Sequence, residues 1–134
     1  MSDTGEYISA IRQMILLHPH VRSFRVVREE DQINSGLIRY RLTLVDGGLL
    51  ELSERFRIIG GKVHSLKYRF HWQDSDRNLI ARWDNTAHHL TLPTFPHHIH
   101  DGGEANIQPH AQVNIADVLA EIARRLEEKR RSGR

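Results

Sequence analysis

The stretch LIRYRLTLVDGGLLELSERFRIIGG, residues 37–61, decides the fold. Ile38, Tyr40, Leu42 and Leu44 alternate with Arg39, Arg41 and Thr43. Period-two alternation is the mark of a strand with one buried face. Asp46-Gly47-Gly48 then makes a tight turn. After it, Leu50, Leu52, Phe56 and Ile58 fall opposite Glu51, Ser53, Arg55 and Arg57. Two such runs joined by a glycine turn predict an antiparallel hairpin.

The pattern continues outward on both sides. Gly60-Gly61 turns the chain into a run over residues 62–73, with Leu66, Tyr68, Phe70 and Trp72 on one face. Ser65, Lys67, Arg69 and His71 lie on the other. The polar run Asp74-Ser75-Asp76-Arg77 turns it again, into a strand over residues 79–84. Upstream, residues 24–28 read as a further strand. Residues 4–17 read as a helix with Ile8, Ile11, Ile15 and Leu16 at helical spacing, stopped by His18-Pro19. At the other end, Asn114 can cap a helix with Asp117 in its first turn. Ile115, Val118, Leu119, Ile122, Ala123 and Leu126 form its apolar stripe. Its basic end, residues 129–134, is expected to fray into a tail. Residues 85–112 lose all periodicity and read as one long histidine-rich functional loop. The expectation is a single α+β domain over residues 1–134: an N-terminal helix, a mostly antiparallel meander of four to six strands, and a C-terminal helix packed on the apolar face. Trp72 and Trp83 are expected to pack in the core.

Composition narrows the chemistry. The 134 residues contain no cysteine, which removes disulfides, thiolate metal sites and a cysteine nucleophile. No run approaches the roughly 18 apolar residues that span a bilayer, so no membrane role is expected. The N-terminus has Asp3 and Glu6 where a secretory signal would carry a basic segment and an apolar run. A cytoplasmic location is the expectation. The net charge of +2 does not by itself announce a polyanion partner. Its distribution is more telling. Arg39, Arg41, Arg55, Arg57, Lys67 and Arg69 all fall opposite the apolar face, against only Glu51 in those positions. That bias suits RNA, with Arg82 a further candidate for gripping phosphate.

Ten histidines are present, and six of them lie between His88 and His110. Imidazoles titrate near neutral pH, so one can accept a proton while another donates. RNA cleavage by attack of the 2′-hydroxyl needs such a pair and a cation beside the phosphate. The candidates are Asp84, His88, His89, His97, His98 and His100, with His71 at the edge. Asp84 could orient a histidine through its ring N–H. The His98-Ile99-His100 triplet offers another use. In extended chain both imidazoles point the same way and could chelate zinc or another divalent ion, with Asp84 or His88 completing the set.

Three segments carry a family resemblance: Tyr68-Arg69-Phe70-His71-Trp72-Gln73, Arg82-Trp83-Asp84-Asn85 followed by His88-His89, and Leu92-Pro93-Thr94-Phe95-Pro96-His97-His98-Ile99-His100. Together they resemble the TumE-type toxin family, and more loosely the resemblance reaches the terminal helix at Asp117-Val118-Leu119. It implies the toxin component of a toxin–antitoxin pair, with a small helix-turn-helix antitoxin as partner. Leu90 departs from the proline expected after the histidine pair. The resemblance implies neither target nor mechanism. Three readings therefore share these residues: a toxin acting on RNA as a ribonuclease, a metal-binding hydrolase, and a non-enzymatic nucleic-acid or partner-binding module. The oligomeric state is open.

Overall fold

In the computed structural model, which describes residues 3–133, the elements run α1 (Thr4–Leu17), β1 (Val21–Asp31), β2 (Ser35–Leu44), β3 (Leu49–Ile59), β4 (Lys62–Gln73), β5 (Leu79–Asp84), β6 (His98–Asp101), β7 (Ile107–Pro109) and α2 (Ile115–Arg131). The seven strands form one sheet in sequence order, and every neighbouring pair is antiparallel. The fold is α+β, with both helices contributing to the core on one sheet face.

Helix α1 begins at Asp3, whose carboxylate accepts from the Glu6 N–H at 2.7 Å. It buries Tyr7, Ile8, Ile11 and Ile15. Leu16, expected on that stripe, is 71% exposed, because the stripe continues through Ile15 and the chain leaves the helix at His18. Helix α2 starts in a capping box between Asn114 and Asp117 and buries Ile115, Val118, Leu119 and Ile122. It stays helical through Arg131, so residues 129–131 form its last turn; of the expected tail, Arg134 lies outside the described residues. Tyr40, Leu42, Leu50, Leu52, Phe56, Phe70, Trp72 and Trp83 complete the core beneath the helices.

Three differences from the sequence reading have local causes. The sheet has seven strands because residues 85–112 are not one loop: β6 and β7 lie within them. They contribute four and three residues, too few to display a period. Strand β1 is longer than residues 24–28 and carries irregularities between Val21 and Ser23 and between Val26 and Arg28. Such bulges are a common device for protecting an edge strand. In β4 the register slips between Lys67, opposite Arg55, and Ser65, opposite Phe56. The slip makes Leu66 the extra residue, 44% exposed, and turns Ser65 toward the core.

Gly36 is required by packing. A Cβ there would sit 2.6 Å from Phe56 Cζ and 2.8 Å from the Glu30 carbonyl oxygen. Gly36→Ala is expected to lower stability by about 1–3 kcal/mol, read from urea denaturation.

Glu54 is buried among the apolar residues of β3 and accepts the Tyr7 hydroxyl proton. Burial raises its pKa, and the Tyr7 hydrogen bond offsets this only in part. A raised folded-state pKa means stability that is complete below the ordinary carboxylate range and is lost as pH rises through the folded value. Glu54→Gln should therefore match the parent near pH 4, an ordinary glutamate pKa being about 4.3, and melt higher than it at alkaline pH. Thermal melts across pH provide the check.

Candidate functional site

The site lies on the sheet face away from the helices, and the core determines its membership. Side chains alternate along each strand. Burying Trp83 and Ile99 therefore sends Arg82, Asp84, His98 and His100 to the opposite face. The register places Asp84 opposite His98 and Arg82 opposite His100. On the other side of β5, Asp84 pairs with Arg69 and Arg82 with His71.

Asp84 is the hub. Its side chain is only 5% exposed. Oδ1 lies 2.9 Å from His98 Nε2 and accepts the Thr86 N–H at 3.0 Å. Oδ2 lies 3.6 Å from both His100 Nε2 and Arg82 Nε. The two β6 histidines are anchored through their other nitrogen. His98 Nδ1 donates to the Pro96 carbonyl and His100 Nδ1 to the Glu104 carbonyl, both at 2.9 Å. Those bonds set the tautomer and aim each Nε2 at the cleft. His89 completes the group. Its ring centroid is 4.9 Å from that of His98 and 6.2 Å from that of His100. Desolvation, then the neighbouring His98 and His100, hold the His89 pKa below the ordinary imidazole value. Neutral His89 keeps a lone pair. These residues line a cleft of about 360 Å³ together with Arg69 and His88.

Not every expected residue joins the cleft. His97 falls on the core side, with Nδ1 2.9 Å from the Tyr68 hydroxyl and the two rings stacked. Burial lowers the His97 pKa, and the ring accepts a hydrogen bond from the Tyr68 hydroxyl, which keeps its proton. Burial also raises the Tyr68 pKa to about 12. His71 bonds through Nε2 to Gln73 Oε1 at 2.9 Å, one strand away from the cluster. His88 is exposed at the mouth, so His89 takes the place beside His98 and His100 that spacing alone gave to His88. Arg82 is buried and held by both oxygens of Glu104. That pairing occupies the guanidinium otherwise read as a phosphate clamp. Arg39, Arg41, Arg55, Arg57, Lys67 and Arg69 are all exposed; of these, Arg41 faces Glu51 at 3.4 Å.

Glu104 was not among the sequence candidates. It lies in the turn between β6 and β7, and only the fold brings it to Arg82 and His100. Asn85 has a separate job. Its amide accepts the Tyr68 N–H at 3.0 Å and donates to the Leu66 carbonyl at 3.2 Å, spanning the β4 bulge. The Trp83-Asp84-Asn85 run thus supplies a core residue, the site carboxylate and a clamp on the neighbouring strand.

A sheet whose buried face is covered by two helices, and whose open face ends in a carboxylate–imidazole cluster, defines the class: a small α+β protein with a polar site on β4–β6. The chain belongs to the toxin TumE family, whose family model matches residues 11–126. Comparison with curated proteins and with solved structures gave no match. Among the described residues, no helix is long and apolar enough to cross a membrane.

The placement of His97 yields a test. His97→Ala removes the partner of a buried hydroxyl and should cost about 1–3 kcal/mol of stability, read from chemical denaturation. Growth inhibition by the folded variant should persist, because His97 faces away from the cleft.

Proposed function

We propose that the chain is the toxin of a type II toxin–antitoxin pair, with a helix-turn-helix antitoxin as partner, and that it acts on RNA at the Asp84 cleft. The observation that carries this reading is the strand register. One row across the open face runs Arg39, Ser53, Arg69, Asp84, His98. The next runs Arg41, Glu51, His71, Arg82, His100. Arg55 and Lys67 pair in a further row. Neighbouring strands are separated by about 4.8 Å. A polyanion lying across the strands therefore meets cations before it reaches the imidazoles. Exposed arginines supply the sequence-independent attraction of a nucleic-acid surface.

Cleavage through the 2′-hydroxyl fits this arrangement. A base takes the hydroxyl proton as O2′ attacks phosphorus, and an acid protonates the departing 5′-oxygen. Arg69 flanks the cleft and can offset charge on the phosphate. Asp84 holds the frame by fixing His98, while His88 and His89 face the mouth. Arg82 contributes position, because its own charge is spent on Glu104 and Asp84.

Expression with and without the adjacent antitoxin gene, followed by sequencing of RNA 5′ ends, tests toxicity and cleavage together. New 5′ ends and arrested growth are expected for the parent, and both should be lost in His89→Ala and His100→Ala. Single substitutions His88→Ala, His98→Ala and His100→Ala that all left inhibition intact would sink the reading. RNA bound with no change in length would point to a binding module. For the surface, Arg69→Ala should weaken binding of a labelled single-stranded RNA. It should also reduce the slope of log affinity against log salt by about 0.7, the value for one phosphate contact on a single strand.

A further inference from the structure

We propose that the cleft is a binding site for a divalent transition metal, zinc first among them, held by His89, His98 and His100 with the Asp84 carboxylate beside them. As an account of how the toxin works this rests on the RNA reading above. As an account of binding it stands on the geometry of these four side chains.

One nitrogen from each of the three imidazoles lies within 4.8 Å of the other two. Zinc binds imidazole nitrogen at about 2.0–2.1 Å in a tetrahedron, which places the nitrogens roughly 3.3 Å apart. Closing a triangle with sides of at most 4.8 Å to that size moves each nitrogen inward by no more than roughly 0.9 Å, within the reach of small χ adjustments. His89 is only partly buried and supplies its own share of that movement freely, while His98 and His100 supply theirs by small rotations about χ2.

The outer contacts are those a metal-binding histidine uses. His98 and His100 each donate Nδ1–H to a backbone carbonyl, which leaves Nε2 as the atom facing the cleft. His98 Nε2 already faces Asp84 Oδ1 at 2.9 Å. With Nδ1–H committed to Pro96, Nε2 is the His98 nitrogen left to face the carboxylate. A positive centre between them, either a proton or a metal ion, resolves that contact. Asp84 Oδ2 is loosely held, at 3.6 Å from its two nearest nitrogens, and Arg82 Nε is buried with no hydrogen-bond partner. The carboxylate therefore has an oxygen to give. Three imidazoles and a carboxylate, with no thiolate, suit zinc, cobalt or nickel better than magnesium or calcium. The cleft opens toward Arg69 and exposed His88, so a further position on the ion can take water or a phosphate oxygen. With the ion bound, His89 is a ligand, and His88 is the free imidazole at the mouth.

The test uses the full chain without a histidine tag, stripped with chelator and titrated calorimetrically with zinc chloride alone. One ion per chain is expected, with a dissociation constant of about 1 µM or tighter. A rise in melting temperature should accompany binding. Cobalt(II) in place of zinc should give the visible absorption of a four-coordinate site. His89→Ala, outside the core, should stay folded and bind at least tenfold more weakly, whereas His88→Ala should bind as the parent does. His98→Gln, checked for folding by circular dichroism, should lose the cobalt spectrum. Absence of saturable zinc binding, or equal affinity in the parent and His89→Ala, would overturn the proposal. Zinc held on these residues by a protein that neither binds nor cuts RNA would overturn the RNA reading and leave the metal site standing. RNA cut by a protein that binds no zinc would do the reverse.

Discussion

Asp84 and His98 can meet because Trp83 and Ile99 are claimed by the core. Side chains of a strand alternate strictly, so a buried residue commits its neighbours to the opposite face. Across β4, β5 and β6 this places Arg69 beside Asp84 and Asp84 beside His98. These strand residues need no separate steering, whereas His89 and Glu104 reach the site from irregular segments. A one-residue slip of β6 would send both histidines under the helices and bring Ile99 to the cleft. The apolar contacts of Trp83 and Ile99 therefore contribute twice, to stability and to the composition of the site.

Electrostatics then decides what a buried carboxylate can tolerate. An ionised carboxylate at 5% exposure requires donors or cations close by. Asp84 has one close backbone donor and one close imidazole, while its other oxygen is held at longer range. Arg82 could have been the obvious counter-ion, but Glu104 draws its guanidinium outward. The carboxylate is left with close imidazoles and a guanidinium nitrogen at 3.6 Å.

Strands β2, β3 and β4 were legible in the sequence because each spans several repeats of a period-two pattern between glycine or polar turns, whereas β1, broken by bulges, was legible only over residues 24–28. The helices were legible through their stripes and through Asn114 with Asp117. Strands β6 and β7 were hidden because Ile99 is the single apolar residue in its strand and β7 has only three residues. The bulge at Leu66 was hidden because it is a property of pairing with β3, not of β4 alone. Asp84, His98 and His100 could be named from the motif and from the His-x-His triplet. The choice of His89 over His88 could not, since parity has no meaning in an irregular segment. Glu104 gave no signal, being one carboxylate in a glycine-rich turn. His97 was grouped with its neighbours by composition, and the alternation at β6 separates it from them.

The meander also sets an order in time. Each strand pairs with the one made just before it, so the sheet can grow from β1 as the chain leaves the ribosome. The cationic surface on β2 to β4 can form before residues 98–101 have been synthesised. The chemical centre closes only when β6 docks on β5, and the layer behind it is complete only with α2. The exposed cations of β2 to β4 thus belong to the earlier-made part of the sheet, and the Asp84 cluster belongs to the part made last.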